Sequence, residues 1–455
     1  MEKRYPIKLL FPLIGLLKRK RKIQLLLTIF VMIINSILEV VSIASIFPIL
    51  ILLTGDKNSL ESNETVKIIM NFFKINNSDN FLPMMLITFV LVILFSSTIR
   101  LFNLWLCSKL PALIGSDFSC DAYRKALYQP YMVHMNRNSS EIISTCTIEI
   151  DQTIGVINTF LQLITSLFIV ITIFSSLLFF NWEFAIGISF ILFAIYYFIG
   201  FKVKKILRNN SQLMTRAVQD QIKSINEALG SIREVILNNS QSLYLNFYKQ
   251  SDIPLRDIQA KTRFIAGFPK FVIESISIIM LVIIAFYLKE RIGNRNLVLP
   301  SLGIIAFSLQ KMLPAIQNIY SCWAIIQAKS DSVRKTLGIL NQSVLIEDSH
   351  NISRKLEFKN SIKFQNISFG YGNKKSILSN INLVINKGEI LGIKGVTGSG
   401  KTTLINILMG LLKPSKGEIL FEGLKYSTLS EKDLDSLRAE NFGFIFQKLN
   451  LIEYL

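Results

Sequence analysis

The sequence predicts a multi-pass α-helical membrane domain with six transmembrane helices, followed by a partial α/β domain built around a phosphate-binding loop. Hydrophobic residues make up 51% of the 455 residues, and 33 residues are phenylalanine. Such a composition is unusual for a soluble protein. Long apolar runs recur through the first 330 residues, and a glycine-rich motif with a lysine lies at residues 395–403.

Six apolar runs are long enough to cross a membrane, because the hydrocarbon core of a bilayer takes about 20 residues of helix to cross. The third and fourth runs contain no charged residue. Buried helices of a soluble core are the alternative, but the recurrence of such runs in one chain favours membrane spans. The predicted spans are residues 23–53, 82–106, 155–180, 184–201, 268–288 and 298–328.

The distribution of lysine and arginine predicts the orientation of these spans. Basic residues concentrate ahead of the first span, in the run from Lys18 to Lys22, and after the second and fourth spans. Because cytoplasmic loops carry the excess of Lys and Arg, both termini are expected in the cytoplasm. The first apolar run is too long for a cleavable signal peptide. The net charge of +19 predicts contact with anionic membrane lipids, and we expect no nucleic-acid partner.

Residues 395–403 read G-V-T-G-S-G-K-T-T and match the P-loop pattern G-x-x-x-x-G-K-[ST]. In such a loop, successive backbone N–H groups point inward and form a concave anion site. Lys401 is expected to contact the β- and γ-phosphates of ATP, and the Thr402 hydroxyl to bind Mg²⁺. A chance glycine-rich turn is the alternative. The candidate nucleotide-binding residues of the motif are Gly395, Thr397, Gly398, Ser399, Gly400, Lys401, Thr402 and Thr403.

The pattern around the motif predicts the strand–loop–helix frame of a P-loop fold. A short buried strand is predicted at residues 388–393 and a helix at 403–409, whose N-terminus would face the phosphates. The strand before the loop is expected to be central in a parallel sheet. Alternating apolar residues and the turn-forming Pro414 and Gly417 indicate further strands. These are predicted at residues 362–369, 381–385 and 419–421.

With these motifs, the chain resembles the ATP-binding-cassette (ABC) transporters. The F-G-Y segment that ends at Tyr371 is similar to the aromatic loop of that family, which implies that Tyr371 stacks on adenine. Residues 412–419 resemble the stretch that follows the P-loop helix. Residues 442–447 resemble the approach to the Q-loop, which implies that Gln447 reaches Mg²⁺ and senses the membrane domain.

Six spans followed by a nucleotide-binding segment is the order of a half-size ABC exporter. We expect a membrane domain at residues 1–330, a linker at 331–350 and an incomplete nucleotide-binding domain at 351–455. The resemblance implies a homodimer that alternates access while two ATP molecules bind between its nucleotide domains. Residues 127–131 resemble the first coupling helix of the family, and residues 227–234 resemble the segment that leads to the second.

The resemblance stops at Gln447. The family's signature motif, Walker B aspartate, catalytic glutamate and switch histidine are not found in this sequence, and its two histidines, His134 and His350, both precede the P-loop. We therefore assign no catalytic residue and expect no useful ATP hydrolysis by this chain alone. We also expect residues 350–455 to fold poorly unless another chain completes them. One interpretation is a transporter completed by a separately encoded ATPase fragment; the alternative is a catalytically dead, truncated remnant.

Several segments resemble one subgroup of the family, the bacterial lipid-linked oligosaccharide flippases and polysaccharide exporters. Glu39, with the Phe-Pro pair that follows it in the first span, is similar to a recurring pattern of that subgroup. Residues 268–274, 299–303 and 309–315 resemble further stretches of it. The resemblance implies a lipid-linked saccharide cargo and a location in the bacterial inner membrane.

Charged residues within the predicted spans are the candidate substrate contacts. Lys311 lies about 20 Å into the last span, where a buried ammonium is costly and a functional role is the default expectation. This ammonium would suit an anionic pyrophosphate–sugar head. Glu39, Arg100 and Glu274 are weaker candidates. The alternatives are that these side chains pair with one another, or that Arg100 and Lys311 extend towards a headgroup region.

Overall fold

The computed structural model describes residues 6–46, 49–50, 81–292, 295–343, 356–371 and 376–445. The chain divides into two compact units. The first consists of Met1–Arg124 together with Ser140–Gln342, and the second of Lys125–Ser139 together with Ser343–Leu455. The described part of the first unit is helical, and that of the second contains a β-sheet.

Helices dominate the described residues, because a chain inside a bilayer must satisfy its backbone hydrogen bonds within each segment. In chain order the helices are α1 (Leu10–Gly15), α2 (Arg19–Ala44), α3 (Phe81–Leu127), α4 (Tyr131–Asn136), α5 (Ser139–Ser144), α6 (Ile150–Gly230), α7 (Ile232–Leu237), α8 (Gln241–Ile292), α9 (Arg295–Ala328), α10 (Ser330–Leu340), α11 (Lys401–Leu408) and α12 (Glu431–Asn441). The strands are β1 (Ser361–Phe369), β2 (Leu378–Asn386), β3 (Lys416–Phe421) and β4 (Leu424–Lys425).

Five helical stretches among the described residues are long and apolar enough to cross a membrane. Each overlaps one of the first five predicted spans, and several are much longer than predicted. Helix α9 covers the sixth span. The third and fourth predicted spans are also separate stretches, divided at residues 180–184, although the helical assignment of α6 runs through this point. The Oγ1 atoms of Thr153 and Thr336 lie 2.9 Å apart, and Oγ of Ser211 accepts from the backbone N–H of Asp331 at 3.0 Å. The two halves of α6 thus contact the same short segment, so the chain reverses direction between them. The five stretches are Arg19–Ala44, Pro83–Leu127, Ser139–Phe179, Ala185–Gly230 and Gln241–Tyr287.

Helices α2, α6, α8 and α9 pack together around an apolar core. Ile173 of α6, Ile273 of α8 and Met312 of α9 are almost completely buried in it. The outward faces of these helices carry large apolar side chains, of which Phe30 is 61% and Phe193 69% exposed. Apolar surface of this extent is expected where lipid surrounds the helices instead of water.

The second unit contains a four-stranded antiparallel sheet in the order β2-β1-β3-β4. Strand β1 lies between β2 and β3, with Ile362 opposite Ile385 on one side and Phe421 on the other. The sheet confirms the strands predicted upstream of the P-loop and the strand predicted after the turn-forming Pro414 and Gly417, and α11 confirms the P-loop helix. A β-sheet beside a P-loop helix is also the α/β character that the sequence predicted.

One face of the sheet is covered by the helices of the same unit. Phe364 and Phe421 pack with Ile407 of α11 and Leu437 of α12 in a buried apolar cluster. Met132 of the short helix α4 packs against this cluster, so the segment between α3 and α5 belongs to the sheet-containing unit. The described residues of this unit therefore form a core of their own.

The segments that resemble coupling helices each lie at the end of a long helix. Residues 127–131 join the last residue of α3 to the first residue of α4. Residues 227–234 include the end of α6 at Gly230 and the start of α7, with Ser231 between them. Both segments thus lead into a short helix, and their coupling role stays a prediction.

The buried strand predicted at residues 388–393 is not a strand in the structure. Ile390 is 99% exposed, and Leu391 and Ile393 are exposed as well. No described strand pairs with this segment. A strand is stabilised by hydrogen bonds to a neighbouring strand, so an apolar segment without such a neighbour does not form a strand. The sheet that the structure describes is antiparallel, and it does not include the parallel pairing expected around the P-loop strand.

Candidate nucleotide site and membrane cavity

Backbone geometry explains three glycines of the P-loop. Gly398 and Gly400 have φ values of +86° and +91°, in the left-handed region that favours glycine. A Cβ atom on Gly400 would also lie 2.9 Å from the side chain of Ile377. A Cβ atom on Gly395 would lie 2.6 Å from Oγ of Ser399. The loop is therefore a cradle that side chains at these positions would fill.

Helix α11 begins at the lysine of the motif, so its N-terminal N–H groups and the positive end of its dipole lie at the loop. The Nζ atom of Lys401 donates to the carbonyl oxygens of Gly395 at 2.7 Å and Val396 at 2.9 Å. The lysine side chain thus folds back over the loop. Thr402 is exposed beside it. A helix N-terminus with a lysine above it and a hydroxyl beside it fits the phosphates of a nucleotide with Mg²⁺.

Tyr371 lies next to the first turn of α11. Its hydroxyl oxygen is 3.3 Å from Oγ1 of Thr403, and its ring meets the ring of Phe369 edge-on at 4.9 Å between centroids. Thr403 is buried, whereas Thr397 and Ser399 are exposed on the loop. The structure therefore brings the predicted adenine-stacking residue close to the predicted phosphate site. Gln447 lies outside the described residues, so its contact with Mg²⁺ stays a prediction.

The first unit contains a cavity of about 990 Å³ among α2, α3, α6, α8 and α9. Three of the four candidate substrate residues line it: Glu39, Arg100 and Lys311. Lys270, which the sequence did not single out, also lines the cavity. The charged lining residues that the structure describes are thus three basic and one acidic, so the cavity is positively charged. Glu274 is exposed on α8 and is not part of this lining.

Glu39 lies between the two basic candidates. Nζ of Lys311 donates to Oε2 of Glu39 at 2.7 Å, and a guanidinium nitrogen of Arg100 lies 3.7 Å from Oε1. The Glu39 side chain is 4% exposed, against 30% for Lys311 and 68% for Arg100. The carboxylate is therefore buried, and the two cations lie closer to open space. Of the arrangements that the sequence allowed for these charges, the structure shows the pairing of Glu39 with Lys311 and Arg100.

Neutral polar side chains complete the cavity, and the sequence did not predict them. Asn318 donates from Nδ2 to Oγ of Ser166 at 2.8 Å. Oδ1 of Asn35 and the hydroxyl of Tyr196 are buried without a hydrogen-bond partner among the described residues. Helical spacing could have indicated Asn35, because it lies four residues before Glu39 on the same face of α2. The others come from distant helices, and no local pattern indicates them.

Two families match this chain. The family described as "ABC transporter transmembrane region" matches residues 63–310, which is more than half of the chain. The family described as "ABC transporter" matches residues 378–455, the part that contains the P-loop. The order of the two matches agrees with a membrane domain followed by a nucleotide-binding segment.

Curated relatives share shorter stretches with this chain. An ABC transporter ATP-binding protein of Mycoplasma genitalium is 32% identical over 125 residues, which are 28% of this chain and 21% of that protein. Bacitracin export ATP-binding protein BceA of Halalkalibacterium halodurans is 44% identical over 20% of this chain and 37% of its own length. Macrolide export ATP-binding/permease protein MacB of Pasteurella multocida is 42% identical over 22% of this chain and 15% of its own. The chain therefore matches less than half of each of these relatives.

Among solved structures, a bacterial Atm1-family ABC exporter with ATP bound is similar in fold. The two superpose with a TM-score of 0.68 at 13% sequence identity, over 90% of this chain and 70% of that one. This similarity supports the exporter type of the helical domain, with a nucleotide-binding domain after it. The two family matches and the P-loop geometry show that this chain is a multi-pass membrane protein with an ATP-binding segment and that it belongs to the ABC transporters, with a helical domain of the ABC-exporter fold.

Proposed function

We propose that this protein is an ATP-driven exporter that moves a lipid-linked oligosaccharide or polysaccharide precursor across the bacterial inner membrane. It acts as a homodimer, and both of its termini lie in the cytoplasm. Membrane lipids surround the helical domain. The cofactor is ATP with Mg²⁺, bound by the P-loop, with Thr402 and Gln447 at the metal ion and Tyr371 at the adenine.

The positive cavity carries the proposal about the cargo. Lys311, Arg100 and Lys270 face it, with Glu39 as the charged lining residue of opposite sign among the described residues. A phosphate or pyrophosphate group that joins a sugar to a lipid would find two cations within reach of one position. The neutral polar side chains nearby suit the hydroxyl groups of a sugar. The apolar outer faces of the helices suit the lipid tail, which can stay in the membrane.

A second cargo class has its own support. The relatives named for bacitracin and macrolide export suggest an amphipathic antibiotic as the transported molecule. Their matches span at most 37% of those proteins, so they say little about the cargo of the whole transporter. The positive cavity favours an anionic cargo over a cationic one.

A reconstituted transport assay tests the proposal. The transporter is placed in proteoliposomes in the form in which the cell assembles it, and ATP hydrolysis and cargo flipping are measured with a polyprenyl-pyrophosphate-linked saccharide. We expect stimulation by this lipid and none by bacitracin or a macrolide, and Lys311→Gln should reduce it. If only the antibiotics stimulated ATP hydrolysis, the proposed lipid-linked cargo would be refuted.

Nucleotide binding by the purified chain separates this function from that of a catalytically dead remnant. The binding constant of a fluorescent ATP analogue is measured with and without Mg²⁺. An exporter subunit should bind the nucleotide more tightly with Mg²⁺, and the metal should have no effect if Thr402 is replaced by valine. Absence of any saturable binding would support the remnant and contradict the exporter.

A further inference from the structure

The arrangement around Glu39 is unusual for a substrate site, because the buried member of the charge cluster has the wrong sign for the proposed cargo. The carboxylate is almost completely buried, and the two cations that neutralise it reach from other helices and are more exposed. Lys311 comes from α9 and Arg100 from α3, whereas Glu39 belongs to α2. An anion that enters the cavity therefore meets cations that already have a partner.

A buried carboxylate between two cations can hold a site ready for an anion. Without Glu39, Lys311 and Arg100 would repel each other and would lack compensation inside a helical bundle. With Glu39, each cation has an oxygen close by, at 2.7 Å and 3.7 Å. A phosphate oxygen offers the same hydrogen-bond geometry and more negative charge than a carboxylate. It can therefore compete for the same donors.

We infer that Glu39 is an internal counter-ion that a phosphate-bearing substrate displaces from Lys311 and Arg100. The inference rests on the proposed export of a phosphate-linked lipid and deepens it. In this arrangement, Glu39 stabilises the empty cavity but lowers its affinity for an anionic substrate. Glu39 and Lys311 form one ion pair, yet they have opposite effects on substrate binding: Glu39 weakens it and Lys311 strengthens it.

The neutral groups beside the pair support a ligand that also carries hydrogen-bond donors. Asn35 is 1% exposed, lines the cavity one helical turn from Glu39, and leaves its Oδ1 atom without a partner among the described residues. The buried hydroxyl of Tyr196 is in the same condition. Leaving a buried acceptor unpaired is costly. A hydroxyl group of the substrate can donate to Oδ1 of Asn35 while the substrate's phosphate takes the place of the Glu39 carboxylate beside Lys311 and Arg100.

Binding of farnesyl pyrophosphate tests this exchange. The full chain is placed in nanodiscs of phosphatidylcholine, which is neutral overall, and equilibrium binding of radiolabelled farnesyl pyrophosphate is measured at fixed ionic strength. Farnesol serves as the neutral competitor and inorganic pyrophosphate as the soluble one. We expect Glu39→Gln to tighten the binding of farnesyl pyrophosphate about tenfold and Lys311→Gln to weaken it about tenfold, in the range seen for close charge pairs.

Matched controls change the same charges elsewhere in the first unit. Glu290→Gln on α8 and Lys202→Gln on α6 alter exposed residues that do not line the cavity, and neither should change the dissociation constant by more than about twofold. If Glu39→Gln fails to fold, the double variant Glu39→Gln/Lys311→Gln removes both charges, and it should bind with an affinity between those of wild type and Lys311→Gln.

The outcomes separate this inference from the proposed function. The wild-type protein could prefer farnesyl pyrophosphate over farnesol while Glu39→Gln and Lys311→Gln change its dissociation constant in the same direction. This result would overturn the exchange and leave the proposed lipid-linked cargo unaffected. No preference for the pyrophosphate would overturn both. Equal competition by inorganic pyrophosphate, with opposite shifts, would support the exchange and refute a lipid-borne source of the anion.

Discussion

The Nζ atom of Lys311 lies 2.7 Å from Oε2 of Glu39, although the two residues are 272 positions apart in the chain. The contact joins α9 to α2, the first and last long helices of the first unit that the structure describes. The Lys311 ammonium also lies 5.8 Å from the ring centroid of Phe307 on the same helix. One ion pair thus ties the two ends of the helical domain together beside the cavity.

This contact predicts a thermodynamic coupling between the two residues. Glu39→Gln leaves two cations without their carboxylate, and Lys311→Gln leaves the buried carboxylate with Arg100 alone. Each single variant should lower the melting temperature of the protein in nanodiscs. The double variant should lose less stability than the sum of the two single losses, with a coupling of about 0.5–3 kcal/mol. It removes both members of the closest pair and leaves only the more exposed Arg100 without its carboxylate. Strictly additive losses would contradict the pairing.

Lys401→Ala should weaken nucleotide binding. Its ammonium already donates to two carbonyl oxygens of the loop, so it is held where phosphates are expected. Hydrogen bonds to charged groups are worth about 1.5–3 kcal/mol, which corresponds to a loss of about 10- to 100-fold in affinity for a fluorescent ATP analogue. The control is Lys425→Ala, which removes an exposed lysine of β4. Equal affinities for both variants would exclude Lys401 from the site.

Gly400→Ala should destabilise the P-loop, whereas Gly392→Ala should not. At Gly400, φ is +91°, and a Cβ atom would lie 2.9 Å and 3.0 Å from side-chain atoms of Ile377 and Leu378. At Gly392, nothing lies within 4 Å of a Cβ atom. The left-handed conformation alone costs alanine about 1–2 kcal/mol. Thermal denaturation and ATP-analogue binding of the two variants check this, and an equal loss in both would show that the loop tolerates side chains.

Glu422 predicts a dependence of stability on acid. Its carboxylate accepts hydrogen bonds from the backbone N–H of Asn360 at 2.7 Å, Lys359 at 3.2 Å and Ser361 at 2.9 Å. These bonds, that of Asn360 foremost, lower the pKa of Glu422 below its ordinary value of 4.5. A carboxyl whose folded pKa lies below its unfolded pKa stabilises the fold above the unfolded pKa. This contribution disappears as the pH falls through the folded pKa.

Glu422→Gln isolates this contribution. The melting temperature of the wild-type protein should exceed that of the variant at pH 7, and the difference should shrink below about pH 4.5 as the carboxyl becomes protonated. The comparison uses Glu357→Gln as the control, because that exposed glutamate has Lys359 as a surface partner at 3.5 Å. A difference that stays constant between pH 7 and pH 3 would mean that the hydrogen bonds, not the charge, carry the effect.

Local patterns predicted most of the elements. Alternation at residues 362–369 and 381–385 gave the correct strands, because each has one face on the core. Long apolar runs predicted the helices of the first unit, since the bilayer permits little other structure. The strand at 388–393 failed for the opposite reason: an apolar run becomes a strand only when another strand pairs with it, and none that the structure describes does so.

The sequence by itself determined the P-loop, the order of the two parts and the identity of the charged residues within the spans. Those properties depend on neighbouring residues, and therefore appear as motifs and periodicities. Only the tertiary structure decided that Glu39, Arg100 and Lys311 meet, and that Asn35 and Tyr196 line the same cavity. These residues come from helices far apart in the chain, and their meeting depends on helix packing, which no local pattern records.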